Sequence, residues 1–128
     1  MPIESTPEKS LYLRIGGYDT IAAIVDEFLQ ALTTLPQMER YGTSMNLDTR
    51  KRNRQLTLDF LAAASGGPTL YLGKDMKPAH AGLGISASDW KLSMEHIERA
   101  LKKFHVPERE SKEFLAIVEN LRGEIVER

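Results

Sequence analysis

The sequence predicts an all-α protein, and three features of its pattern lead to that fold class. Apolar residues in each long segment recur at the i, i+3, i+4, i+7 spacing of an amphipathic helix. Two glycine pairs, Gly16-Gly17 and Gly66-Gly67, act as helix stop signals, and Pro68 strengthens the second. No stretch shows the alternation of apolar and polar residues that is typical of a half-buried strand. We therefore expect helices that each bury one face.

Composition and charge favour a single domain without a membrane or nucleic-acid partner. The 128 residues suffice for one core, and we expect a flexible leader over residues 1–9 and one domain over residues 10–128. The formal net charge of −1 provides no strong field for nucleic acid or an anionic membrane. No apolar run resembles a membrane span or a signal peptide, so we predict a cytoplasmic location. The absence of cysteine excludes disulfides and thiolate metal sites.

The first part of the chain contains a short predicted helix followed by a long one. Ser10 to Ile15 is predicted to form the short helix, which Gly16-Gly17 closes. Asp19 is the candidate N-cap of the long helix. The apolar face of that helix comprises Ile21, Ile24, Val25, Phe28, Leu29 and Leu32. Pro36 ends it, and residues 36–41 are expected to add a further short helical turn.

A second long helix is predicted in the middle of the chain. Gly42 to Leu47 is expected to be a polar loop, and Asp48 the N-cap of a helix that runs to Ser65. The residues on one face of this helix are Asn53, Thr57, Phe60, Leu61 and Ala64. The basic run at residues 50–54 could indicate nucleic acid, but the near-neutral charge of the chain favours a solvated helix face.

Two further long helices are predicted in the last third of the chain. Ser86 or Ser88 caps the first of them. Its apolar stripe comprises Trp90, Met94, Ile97, Leu101 and Phe104. Val106-Pro107 begins the last helix, because proline fits the first helical turn. The core face of the last helix comprises Phe114, Ile117, Val118, Leu121 and Ile125.

His80 lies on what we predict to be a short, stiff helical turn between the middle helix and Ser86. Asp75 is a good N-cap, and Pro78 fits the first turn because its missing N–H is not needed there. Gly82 can stop the turn in a left-handed conformation. A histidine near apolar residues is more often a hydrogen-bonded core residue than a ligand. An imidazole fixed in this way nevertheless also suits a metal ion or a haem iron.

Three blocks of the sequence, taken together, resemble the truncated haemoglobins of group I. They are residues 10–28 (SLYLRIGGYDTIAAIVDEF), residues 60–86 (FLAAASGGPTLYLGKDMKPAHAGLGIS) and the region from His96 to Pro107. The two glycine stops and the M-K-x-x-H-x-G-x-G-I run recur in order and at the right separations. The resemblance covers nearly the whole chain. It implies a two-on-two helical sandwich, in which the Asp19 helix pairs with the Asp48 helix and the Ser88 helix pairs with the last one.

The resemblance also implies a haem site with His80 as the proximal ligand of the iron. The second ring nitrogen of His80 would then bond a backbone carbonyl of the preceding turn. Met76 would touch the porphyrin face or simply pack in the core. Lys74 and Lys77 would pair with the haem propionates or remain solvated surface lysines. Tyr71 corresponds to a family tyrosine beside the haem, and its phenol could bond a propionate.

On the distal side the chain departs from the family pattern. Relatives usually carry a tyrosine directly after the phenylalanine of the second helix, where this chain has Leu29 after Phe28. Asn53 and Thr57 occupy the positions of the usual polar partners. Tyr41 corresponds to a wedge phenylalanine, and its hydroxyl could reach the pocket. The residues predicted to bind the cofactor are Phe28, Leu29, Tyr41, Asn53, Thr57, Phe60, Leu61, Tyr71, Met76, Lys77, His80, Ile85, Trp90 and Val118.

The other two histidines are not expected to ligate iron. His96 lies away from the apolar stripe of its helix, and His105 lies at the helix end, where the dipole favours a cation. The Asp48 helix and the last helix contain no histidine. Some relatives use a distal histidine as a ligand, and others link haem to a histidine of the last helix. Neither arrangement is therefore expected in this chain. Ser93 stands where the other truncated groups have a tryptophan, which supports group I.

The function that the resemblance implies is reversible binding of a diatomic gas (O₂, NO or CO) by a non-covalent haem b. The alternatives are a haem-based redox enzyme, of NO dioxygenase or peroxidase type, a gas sensor, and a haem-free interaction module. A peroxidase is disfavoured because no distal acid–base side chain is available. The expected partners are the gas and, for a redox function, a reductase, with no nucleic acid and no membrane. The chain is expected to be a monomer or a weak dimer, with a possible place in oxygen transport.

Overall fold

The fold is described by a computed structural model that covers residues 9–41 and 45–128. The predicted leader lies outside these residues except for Lys9, and so does the 42–44 part of the predicted polar loop. The helices are α1 (Leu11–Arg14), α2 (Gly17–Thr34), α3 (Leu47–Ala64), α4 (Met76–His80), α5 (Ala87–Lys103), α6 (Glu108–Glu119) and α7 (Arg122–Ile125), with a 3-10 turn at Glu39–Tyr41. The parts described contain no strand, so the predicted all-α class is confirmed.

The helices pack as two pairs around one apolar core. Helix α2 packs against α3, α5 packs against α6, and the contact between α2 and α5 joins the two pairs. The fully buried side chains at the centre are Ile21, Ile24, Val25, Leu58, Leu101 and Phe114. They come from all four long helices, as the predicted apolar faces require. No helix in the described part of the chain is both long and apolar enough to cross a membrane.

Two helices begin earlier than predicted. Gly16, with φ +114°, is the N-cap of α2, so Asp19 lies within the first turn instead of capping it. A carboxylate in that turn still stabilises the positive end of the helix dipole. Asn46 is the N-cap of α3, where its side chain accepts the N–H of Thr49 at 2.8 Å. The prediction of Asp48 as cap was therefore wrong, and Leu47 belongs to the helix.

The observed helix termini can be compared with the predicted N-caps and glycine stops. Ser86, not Ser88, caps α5 in a reciprocal capping box with Asp89. At the end of α3, the N–H of Gly67 donates to the carbonyl of Ala62 at 2.8 Å while Gly66 has φ +93°. His105 has φ +60° after α5, a conformation usually given to glycine, and the sequence did not predict it.

The predicted last helix is divided into two. Helix α6 ends at Glu119 and α7 begins at Arg122. The predicted core face is otherwise correct, since Phe114, Val118 and Ile125 are buried. On α3, Ala64 is exposed, so it does not belong to the inward face that was predicted for it.

Candidate functional site

A cavity of about 510 Å³ opens between the two helix pairs and beside α4. This volume lies within the range of about 300–1,000 Å³ that is usual for cofactor and ligand sites. Most of the cavity wall is apolar. The predicted site residues that line it are Phe28, Leu29, Tyr41, Asn53, Thr57, Phe60, Leu61, Tyr71, Met76, His80, Ile85, Trp90 and Val118. The structure thus brings together all the predicted cofactor-binding residues except Lys77.

His80 is held at the cavity wall by a hydrogen bond within its own helical turn. Its Nδ1 lies 2.8 Å from the carbonyl oxygen of Met76, as predicted. A carbonyl can only accept, so Nδ1 is the donor, and in the neutral imidazole this tautomer leaves the lone pair on Nε2. Gly82 has the predicted left-handed conformation, with φ +82°, but the helical turn already ends at Ala81, whose backbone is extended. Asp75 stands at the N-cap position, but its side chain makes no capping bond.

Of the two roles predicted for Met76, core packing is observed, while contact with a porphyrin stays a prediction. Met76 packs against the core cluster and also lines the cavity. Because its carbonyl fixes His80, Met76 contributes both a wall and a support to the same site.

Tyr71 lines the cavity with its ring but uses its hydroxyl elsewhere. The ring packs edge-on against Phe60, with centroids 5.2 Å apart. The phenol donates to the carbonyl oxygen of Lys74 at 2.5 Å, so the predicted role as a propionate donor is not supported. Burial, together with the Asp75 carboxylate, raises the pKa of Tyr71 and keeps the phenol protonated.

The predicted basic partners at the cavity edge are not the residues that the structure places there. Lys74 and Lys77 are exposed and lie outside the cavity wall, as expected of solvated surface lysines. Arg50 lines the cavity instead. It lies one turn before Asn53 on the same face of α3, and that spacing could have identified it. The thioethers of Met38, Met45 and Met94 also line the cavity and were not predicted.

The polar side chains predicted for the distal side mostly donate hydrogen bonds to other protein atoms. Leu29 contributes only an apolar surface beside Phe28. The hydroxyl of Thr57 donates to the carbonyl oxygen of Asn53 at 2.8 Å. One amide hydrogen of Asn53 points to the Met45 sulfur, with Nδ2 and Sδ 3.1 Å apart. The second hydrogen on that nitrogen has no hydrogen-bond acceptor among the described residues.

Tyr41 lines the cavity, but its hydroxyl is bound by a buried carboxylate. It donates to Oδ2 of Asp89 at 2.5 Å, so the expectation that it reaches the pocket was wrong. Asp89 is only 3% exposed and also receives Gln37 Nε2 at 2.7 Å and Arg40 Nη2 at 3.1 Å. Burial acts to raise the pKa of Asp89, but hydrogen bonds from Tyr41, Gln37 and Ser86 outweigh it and hold that pKa well below its usual range.

Of the three histidines, only His80 lines the cavity. His96 is half-buried on α5, and His105 is exposed beyond the end of that helix. Trp90 and Ser93 both line the wall, and the indole N–H of Trp90 donates to Glu119 at 3.0 Å. A group placed in the cavity would therefore find one imidazole, that of His80.

Comparison with known proteins agrees with this architecture. The Bacterial-like globin family matches residues 10–127. The Group 1 truncated hemoglobin GlbN of Mycolicibacterium paratuberculosis (strain ATCC BAA-968 / K-10) is 34% identical over 116 residues, which are 91% of this chain and 83% of that relative.

Solved structures show the same fold. The truncated hemoglobin from Tetrahymena pyriformis, Fe(III) form, has a TM-score of 0.83 at 22% identity, covering 94% of this chain and 100% of that one. The 2/2 hemoglobin from Synechococcus sp. PCC 7002, in the cyanomet state and with covalently attached heme, has a TM-score of 0.79 at 21% identity, covering 91% and 95%. The family match and the 34% identical relative show that the chain belongs to the bacterial-like globin family, as a group 1 truncated haemoglobin.

Proposed function

We propose that this chain binds one b-type haem non-covalently through His80 and that the holoprotein reversibly binds a diatomic gas. The family is one of haem-binding, gas-binding proteins. The observation that carries the proposal here is the imidazole of His80, whose Nδ1 bond to Met76 leaves Nε2 free beside an apolar cavity. When bound, the haem supplies the iron to which the gas binds.

The residues of the cavity fit a flat, largely apolar group. Phe28, Phe60 and Val118 would hold the macrocycle by burying apolar surface and would exclude water from the gas. His80 would supply the axial nitrogen, with its ring orientation fixed by Met76. Arg50, the basic residue at the wall, would be the candidate partner for a propionate.

Non-covalent attachment is supported because, among the residues that the structure describes, neither a cysteine nor a second histidine lines the cavity. The chain has no cysteine, and neither His96 nor His105 lines the wall. The Synechococcus neighbour, by contrast, carries covalently attached heme. We therefore expect the haem of this chain to be extractable.

The distal side would offer few donors to the gas. Leu29 has none, Tyr41 donates to Asp89, and Thr57 donates to a backbone carbonyl. Among the residues predicted for that side, Asn53 is left as the donor. O₂ gains more than CO from a hydrogen bond because it carries more negative charge when bound. The chain is therefore a poorer oxygen store than a tyrosine-bearing relative and a better candidate for binding or sensing NO or CO.

The cavity favours gas binding over peroxidase chemistry. The titratable side chains that line it in the described part of the chain are Tyr41, Arg50, Tyr71 and His80. The phenols are engaged as donors, and His80 is the proposed ligand. No histidine or carboxylate is left on the wall to act as a distal acid–base group.

The test of the proximal ligand is the His80→Ala variant, with His96→Ala as the matched control. We expect His80→Ala to lose normal haem retention and the ferrous five-coordinate absorption spectrum, and free imidazole to restore part of that spectrum. His96→Ala should behave as the wild type. An unchanged spectrum and haem affinity in His80→Ala would show that the assignment is wrong.

A further inference from the structure

Glu127 binds the loop that begins two residues after His80. Its Oε2 accepts the N–H of Gly82 at 3.0 Å, and its Oε1 accepts the N–H of Gly84 at 2.7 Å. Gly82 and Gly84 have φ of +82° and +67°, and in these conformations their N–H groups converge on one carboxylate. The two N–H groups hold the pKa of Glu127 below its usual range, as expected for a carboxylate that accepts backbone bonds.

The backbone around Glu127 reinforces this contact. The Glu127 N–H donates to the carbonyl oxygen of Ile85 at 2.8 Å, and the Ala87 N–H donates to that of Arg128 at 3.0 Å. Arg128 Nε also donates to the carbonyl oxygen of Gly84 at 2.7 Å. We call the contact of Glu127 and Arg128 with residues 82–87 the clasp.

Helix α4 has little of its own to hold it in place besides the packing of Met76 against the core cluster. It is only five residues long, none of them is buried, and Asp75 makes no side-chain capping bond. A helix this short is not stable by itself, because forming its first turn costs more than its few bonds return. Its neighbours must therefore fix its position: α7 packs against α4, and the clasp holds the loop that follows it.

We propose that Glu127 is a positioning residue for His80. By fixing Gly82 and Gly84 it anchors the segment that follows α4, and thereby the position from which the imidazole faces the cavity. The inference rests on the proposed function, since it concerns the presentation of the haem ligand. Glu127 itself does not line the cavity, and its link to a residue that does is the backbone bond from its N–H to Ile85.

The experiment compares the wild-type holoprotein with Glu127→Ala and Glu127→Gln. Alanine removes both acceptors, whereas glutamine keeps one carbonyl oxygen and loses the other bond. Glu124→Gln is the matched control, because it removes the same charge from an exposed residue of α7. The readouts are the rate of haem transfer to excess apomyoglobin and the iron–histidine stretching band of the ferrous protein in resonance Raman spectra.

We expect Glu127→Ala to lose haem about tenfold faster, the low end of the effects seen when groups that orient metal ligands are removed. Its iron–histidine band should shift or broaden, Glu127→Gln should be intermediate, and Glu124→Gln should match the wild type. A lower melting temperature with an unchanged band and haem-loss rate would overturn the inference, since Glu127 would then serve stability alone.

The two proposals fail in different ways. If His80→Ala keeps the wild-type haem spectrum, the proposed function fails and the role of the clasp fails with it. If His80→Ala loses the spectrum while Glu127→Ala matches the wild type in both readouts, only the inference about Glu127 fails. Equal effects of Glu127→Ala and Glu124→Gln would also overturn it, because charge rather than the clasp would then be the cause.

Discussion

At the scale of single residues, the donors available to a bound gas depend on which protein groups each hydroxyl already bonds. Residue identity alone suggested that Tyr41 and Thr57 could supply donors to the pocket. In the structure the Tyr41 hydroxyl donates a hydrogen bond to Asp89, and the Thr57 hydroxyl donates one to the Asn53 carbonyl oxygen. Leu29 then becomes the position at which a new donor would have the largest effect.

Leu29→Tyr is expected to slow O₂ release roughly tenfold, if the new phenol contributes about 1.4 kcal/mol of hydrogen bonding. Leu29→Phe is the control, because it adds the ring without the hydroxyl. The test is the rate of O₂ dissociation, measured by stopped flow in the wild type, both Leu29 variants and Asn53→Leu. Slow release in the wild type that does not depend on Asn53 would mean that another donor holds the ligand.

At the scale of elements, two contacts lock helices and turns to one another. Asp89 ties α5 to the 3-10 turn through Tyr41 and Arg40. Gly66-Gly67 ends α3 against Tyr12 of α1. The glycine stop was predictable from sequence because it is local. The Tyr41–Asp89 contact was not, because the two residues are 48 positions apart and nothing local marks them as partners.

Asp89→Asn is expected to lower the free energy of unfolding by about 1–3 kcal/mol at pH 7, the usual effect of disturbing a buried, hydrogen-bonded group. The pKa of Asp89 is depressed in the folded protein, so its contribution is complete above the unfolded pKa of about 3.9 and is lost as pH falls below it. Urea denaturation at several pH values should show the difference between wild type and variant shrinking below about pH 4. A difference that grows on acidification would contradict this account.

Gly67→Ala is expected to destabilise the fold by about 1–3 kcal/mol, since an added methyl must displace well-packed neighbours. A Cβ on Gly67 would lie 2.6 Å from the Tyr12 ring and 2.8 Å from the Ala62 carbonyl oxygen. Gly123→Ala is the control, because a Cβ there meets no atom within 4 Å. Gly67→Ala should have a lower melting temperature than Gly123→Ala in thermal unfolding. Equal melting temperatures would show that the close approach of α1 to the end of α3 does not limit stability.

At the scale of the whole molecule, periodicity was enough to predict the helical class, whereas most of the predicted site residues came from the resemblance to truncated haemoglobins. The pattern placed Asn53, Thr57 and Phe60 on one face of α3, and the resemblance assigned that face to the site, where the structure finds all three lining the cavity. The bond from His80 to Met76 was also predictable, because its partner lies one turn away.

Contacts between distant segments could not be predicted from the pattern. The clasp joins Glu127 to Gly82, which are 45 positions apart, and no local signal marks that pairing. Asn46 replaced Asp48 as a cap because both residue types cap equally well and sit two positions apart. The resemblance thus indicated where the site lies, but the hydrogen-bond partners of its polar groups could be identified only from the folded structure.

The central claim is that the cavity beside His80 takes one haem without a covalent bond and without a second histidine. The most direct measurement is a haem titration of the purified protein, followed by the ferrous absorption spectrum and acid extraction of the cofactor. We predict saturation at about one equivalent, a five-coordinate ferrous spectrum, and complete extraction of haem into the organic phase. No saturable binding, haem that stays with the protein on extraction, or a bis-histidine ferrous spectrum that His96→Ala or His105→Ala abolishes would contradict the claim.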